Sequence, residues 1–327
     1  MHIKKLRYRY SFVFFLFTVL FFVQSIKAEH PAGSSISEGI VLSKDGVKIY
    51  YQVRGAGQDT LVMLHGGPGL NFDYLAPDLK PLEESFTLIY YDQRGSGRSE
   101  LVSRPDLLTV DDHVADLEAV RDYFGIDMLS LYGHSWGAML ASFYAIKHPE
   151  KLSRMVFANP GPPRNTPYMQ QLSRTLMEWM DSTTRAKAEQ LMEARQDTTI
   201  SAKASCKAFW ELFIRGYFAD PHDLVTIRSM RGNFCSGSET ALRNGGLVWM
   251  HTFNSAGEFD LRNKLQDVYI PVLIISGTED IFPEESMHEW KAAYPHSRLI
   301  LLEHAAHYPQ IEQPEEYFPV VKEFLRE

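Results

Sequence analysis

Residues 128–147 read MLSLYGHSWGAMLASFYAIK, and this stretch decides the fold. Met128–Tyr132 is a short apolar run of the strand type. Trp136–Lys147 has the length and composition of a buried helix, ending before Pro149. Between them stands Gly133-His134-Ser135-Trp136-Gly137, a Gly-x-Ser-x-Gly pattern. A chain that passes from strand to helix in so few residues turns sharply. The positions two before and two after the serine must then be small, and both are glycine. Such a turn lifts the serine hydroxyl above the end of a strand and makes Ser135 a candidate nucleophile. A glycine-rich turn with a bystander serine is the bland alternative, and the strand–turn–helix context argues against it.

Working outward, the same alternation continues on both sides. Gly39–Arg54 reads as a hairpin turning at Asp45-Gly46. Leu61–Leu64, Thr87–Tyr91 and Arg154–Ala158 are short apolar strands, and Thr109–Phe124 carries helical spacing. The strand signal stops over residues 161–265, which are rich in helix formers, Met and aromatics. It resumes at Val272–Ser276 and Arg298–Leu302, before a last helix over Pro314–Arg326. The expected fold is α/β: a mostly parallel sheet with helices on both faces and an inserted helical cap. The predicted boundaries are a core of residues 29–160 and 266–327 and a cap of 161–265.

A serine hydroxyl needs a base, and the base needs an orienting carboxylate. In such sheets they follow in the order Ser, Asp or Glu, His. Asp280 follows the strand Val272–Ser276 and is the expected acid, with Glu279 its rival. His307 follows the last strand and is the expected base, with His304 its rival. The oxyanion donors are expected from the backbone N–H of Trp136, next to the nucleophile, and of Gly67, in His65-Gly66-Gly67-Pro68-Gly69 after the strand Leu61–Leu64. No cofactor is required, and no cluster has metal-ligand spacing.

Three motifs in order, His65-Gly66-Gly67-Pro68-Gly69, then Asp92-Gln93-Arg94-Gly95-Ser96-Gly97-Arg98-Ser99, then Gly133–Gly137, resemble the proline iminopeptidase branch of the α/β-hydrolase fold. The resemblance covers residues 40–160 and 268–326. It implies release of an N-terminal proline, with cap carboxylates holding the substrate amine. Phe209-Trp210-Glu211 resembles the aromatic–Trp–Glu stretch of those caps and makes Glu211 the candidate amine clamp. Glu239 lies where a second cap glutamate is expected, in surroundings that depart from the family pattern. Cap aromatics Phe209, Trp210 and Trp249 are candidates for an apolar pocket. The expected substrates are short peptides beginning with proline or another small apolar residue. Alternatives are a carboxylesterase or lactonase on small esters and, more remotely, an inactive hydrolase-like binding protein.

The 327 residues, with 45% hydrophobic and 23% charged, suit a soluble globular protein. Residues 1–28 have the order of a secretory signal: Lys4, Lys5, Arg7 and Arg9, then an apolar run Phe12–Val23, then a small residue at Ala28. Cleavage after Ala28 gives an exported protein without a stable membrane span. It also lowers Lys and Arg from 33 to 28 against 41 acids, a net charge of −13. That charge disfavours nucleic acid, whose phosphates need clustered cations. In an oxidising compartment Cys206 and Cys235, 29 residues apart, have the option of pairing; the sequence leaves open both a bridge and two buried thiols.

Overall fold

The computed structural model describes residues 36–194, 197 and 199–327, so the expected signal at residues 1–28 lies outside the described residues. Eight strands form one sheet: β1 (Ser37–Leu42), β2 (Lys48–Arg54), β3 (Thr60–Leu64), β4 (Thr87–Tyr91), β5 (Leu129–His134), β6 (Leu152–Ala158), β7 (Val272–Gly277) and β8 (Arg298–Leu302). Their spatial order is β1-β2-β4-β3-β5-β6-β7-β8. The β1–β2 and β2–β4 pairs are antiparallel and all others parallel. Every strand expected from sequence is present, with β5 reaching two residues further, to His134.

The helices are α1 (Lys80–Glu83), α2 (Val110–Tyr123), α3 (Trp136–Lys147), α4 (Tyr168–Thr175), α5 (Ser182–Ala194), α6 (Ala202–Phe213), α7 (Leu224–Ser229), α8 (Glu239–Ala256), α9 (Glu284–Ala293), α10 (Pro309–Glu312) and α11 (Pro314–Arg326). Successive strand residues feed opposite faces. On β3, Val62 and Leu64 pack with Leu117 of α2, Leu140 of α3 and Trp290 of α9. Leu61 and Met63 pack with Leu82 of α1 and Val321 of α11. Burial on both faces explains why the parallel strands read as continuous apolar runs. Helix α9 was not among the expected elements.

Helices α4 to α8 all fall between β6 and β7, in the expected insertion. They rest on loops at the carboxyl ends of the strands. A side chain at Gly69 would put its Cβ 2.2 Å from the Gly245 carbonyl of α8, so glycine there permits the backbone contact. Cys206 of α6 is disulfide-bonded to Cys235, with their Cα atoms 5.9 Å apart, and this ties two cap segments together. Arg94, fully buried, donates from Nε to Asp116 at 2.7 Å and from Nη1 to Asp45 at 3.0 Å. These carboxylates pair the buried charge of Arg94, as a buried ion requires.

Candidate active site

Ser135 sits between β5 and α3 with φ 55° and ψ −119°, a left-handed conformation that an L-residue adopts only when its surroundings enforce it. The two glycines of the pattern explain how. A Cβ on Gly133 would lie 2.5 Å from the Ala138 nitrogen, and one on Gly137 would lie 2.1 Å from the Leu64 oxygen. Neither position has room for a side chain.

His307 follows β8, and its Nδ1 is 2.9 Å from Oδ1 of Asp280, which follows β7. Both side chains are buried. Asp280 Oδ1 also accepts from the Phe282 N–H at 3.3 Å, and Oδ2 accepts from Ser276 Oγ at 3.2 Å and from Asn159 Nδ2. Burial opposes the Asp280 charge, but His307 and these donors outweigh it and hold the carboxyl below its ordinary range. With Nδ1 engaged, Nε2 is the His307 nitrogen left for a serine proton. The rivals sit elsewhere: exposed Glu279 and His304 line a separate cavity with Glu312.

Asn159 was not anticipated. It follows β6 with φ 46°, is fully buried, and donates from Nδ2 to Ala306 O at 2.7 Å as well as to Asp280. Its only sequence signal is its place just after a parallel strand, where ligand-facing residues gather. Glu312 is a second unforeseen group: one oxygen accepts from Ala219 of the cap and the other from Ala306 beside His307, each at 2.8 Å. Burial pushes its carboxyl up to about 7.

Gly67, with φ 49°, and Trp136, the first residue of α3, border the same cavity as Ser135 and His307. The first amides of a helix have no intrahelical partner. Gln93 fixes this corner: its Nε2 donates to His65 O at 2.8 Å, and its Oε1 accepts from Trp136 Nε1 at 2.8 Å. The cavity holds about 90 Å³ and is walled by Trp210, Tyr217, Trp249 and Phe253 among others. Of the three candidate pocket aromatics, Trp210 and Trp249 border it. Phe209 packs on Phe213 instead, with ring centroids 4.1 Å apart.

The two candidate amine clamps are not brought there. Glu211 is exposed and lines a different cavity of about 390 Å³ with Lys203 and Lys207. Adjacent helix residues point about 100° apart: Trp210 stands between the two cavities and borders both, whereas Glu211 borders only the one away from Ser135. Glu239, exposed, accepts from Ser201 Oγ at 2.7 Å and from the Ala202 N–H at 2.5 Å, and so caps the start of α6. No Asp or Glu borders the Ser135 cavity among the described residues, which also contain no group of three or more potential metal ligands.

Comparison with known proteins adds the following. A family model described as alpha/beta hydrolase fold matches residues 59–314. A proline iminopeptidase of Clostridioides difficile is 28% identical over 293 residues, covering 89% of this chain and 98% of that protein. One of Saccharolobus solfataricus is 26% identical, covering 86% and 89%. Among solved structures, proline iminopeptidase of Mycobacterium smegmatis aligns with TM-score 0.66 and 25% identity over 89% of this chain and 98% of that one. An esterase of Exiguobacterium antarcticum aligns with TM-score 0.64 and 22% identity over 88% and 99%.

Proposed function

The chain belongs to the α/β-hydrolase family and is proline iminopeptidase-like within it, and on that footing we propose that it is a serine aminopeptidase that releases N-terminal proline, or another small apolar residue, from short peptides. The observation that carries the reading is the 2.9 Å His307–Asp280 contact beside Ser135 in one small, mostly apolar cavity. His307 Nε2 takes the Ser135 proton as Oγ attacks the acyl carbonyl. The Gly67 and Trp136 N–H groups hold the oxyanion, and Asp280 stabilises the imidazolium. His307 then protonates the leaving amine, and water releases the acyl group by the same steps.

With the clamps elsewhere, the substrate ammonium faces the rings of Trp210, Tyr217 and Trp249, whose π faces attract a cation. The missing cavity carboxylate also favours a second reading, hydrolysis of a small ester by the same machinery. A prolyl arylamide, its N-acetyl form and a simple aryl ester separate the two. The peptidase reading expects the free-amine arylamide to exceed the acetylated one in kcat/KM by about tenfold or more, the size of one such contact. Turnover of the ester alone would replace it with the esterase reading. We further propose export: the pattern of residues 1–28 and a disulfide in the cap both suit an oxidising compartment. No helix of the described residues is long and apolar enough to cross a membrane.

A further inference from the structure

His134, the residue before the nucleophile, is 1% exposed, and so is Tyr74. The His134 Nε2 lies 3.0 Å from the carbonyl oxygen of His307. A carbonyl only accepts, so Nε2 carries the proton and donates. Burial, with His307 adding repulsion, lowers the His134 pKa to about 3, so the ring is neutral and Nδ1 is an acceptor. The Tyr74 hydroxyl, 2.8 Å from Nδ1, must therefore donate to it. Burial raises the Tyr74 pKa and keeps that proton in place. The same hydroxyl oxygen accepts from the Gly66 N–H at 2.6 Å. Every donor and acceptor in the chain of bonds is thus assigned: Gly66 N–H to Tyr74, Tyr74 O–H to His134 Nδ1, His134 Nε2–H to His307 C=O.

The three segments so joined are the donor loop before Gly67, the residue before Ser135, and the backbone of His307. We propose that His134 and Tyr74 are positioning residues, which set the oxyanion donor and the base relative to the serine through this one chain of hydrogen bonds. The proposal rests on the serine mechanism above. His134 takes no proton in the reaction. It is held neutral, which spares His307 a second positive charge at a ring separation of 4.8 Å. Loss of either residue breaks the Tyr74–His134 bond that links the donor loop to the His307 backbone, so the two act as a unit.

The test is the pair Tyr74→Phe and His134→Gln with their double variant, assayed as full-length folded protein on the substrate that the wild type turns over. Each single change is expected to lower kcat by about 10- to 100-fold with KM within about threefold, the cost of misplaced reacting groups. The double variant is expected to match the worse single one rather than their product. If His134→Gln does not fold, Tyr74→Phe alone, which removes only a hydroxyl, decides through the kcat against KM split. Wild-type kcat in either folded single variant, or multiplicative effects in the double, would overturn the proposal. Ser135→Ala separates the two levels. If it stays active, the serine mechanism is at fault, and if it is inactive while the relay variants are not, the relay is.

Discussion

Ser135→Ala is expected to lower kcat by about 10⁴- to 10⁶-fold, the range found when an activated serine is removed. Stability should change little. Alanine keeps the Cβ, so the strain at φ 55° is the same in both proteins. The serine backbone contacts also survive, its N–H donating to Ala158 O at 3.1 Å and its carbonyl accepting from Gly161 N at 3.1 Å. The residual rate would come from the Gly67 and Trp136 donors and from binding alone. Steady-state kinetics with a thermal melt checks both halves. A large loss of kcat with an unchanged melting temperature is the expected pair of results, and a variant within tenfold of wild type would remove Ser135 from the chemistry.

Asp280→Asn is expected to cost about 10⁴-fold in kcat, as in other enzymes where the orienting carboxylate becomes an amide. The surroundings give this site a specific reason. Oδ1 of Asp280 receives the His307 Nδ1 and Phe282 N–H groups, and Oδ2 receives the Ser276 and Asn159 donors. An asparagine offers one acceptor and one donor where two acceptors are needed. Turned one way, its NH₂ meets Asn159 Nδ2. Turned the other, it meets His307 Nδ1 and forces the proton onto Nε2, the nitrogen that must receive the serine proton. The same contacts predict a pH effect on stability. The Asp280 carboxyl lies below its ordinary value of 3.8 in the folded chain. Its charge therefore stabilises the fold above that value, and the contribution disappears as pH falls through the lower folded value. Denaturant unfolding at several pH values should show the gap between wild type and Asp280→Asn narrowing toward acid.

The parts legible in the sequence are those where local sterics allow one solution. Gly133 and Gly137 leave no space for any other residue, so the sharp turn at Ser135 was legible once those five letters stood between a strand and a helix. The apolar strands announced themselves because both faces of a parallel sheet are covered. Chain order pointed to Asp280 and His307, and the structure brings these two within 2.9 Å of each other while Glu279 and His304 line another cavity. Contacts that depend on how the cap settles were not legible. An acid on a helix face looks the same in sequence whether it meets a ligand or solvent, and the turn of α6 that sends Trp210 toward Ser135 sends Glu211 away. Glu239 reads as a second candidate for holding the substrate amine until its bonds to Ser201 and Ala202 are seen. Asn159, Tyr74 and His134 come from three distant parts of the chain and acquire meaning only when the strand ends converge.

The most direct measurement is intact-protein and peptide mass spectrometry after reaction with a fluorophosphonate, a reagent that phosphonylates serines activated by a neighbouring base. The predicted result is one adduct per chain on Ser135, abolished in Ser135→Ala and slowed by at least about 10²-fold in His307→Ala, the lower end of what a general base contributes to a step. No adduct on the folded wild-type chain, an adduct on another serine, or labelling of Ser135 unaffected by loss of His307 would contradict the assignment of Ser135 as nucleophile and His307 as its base.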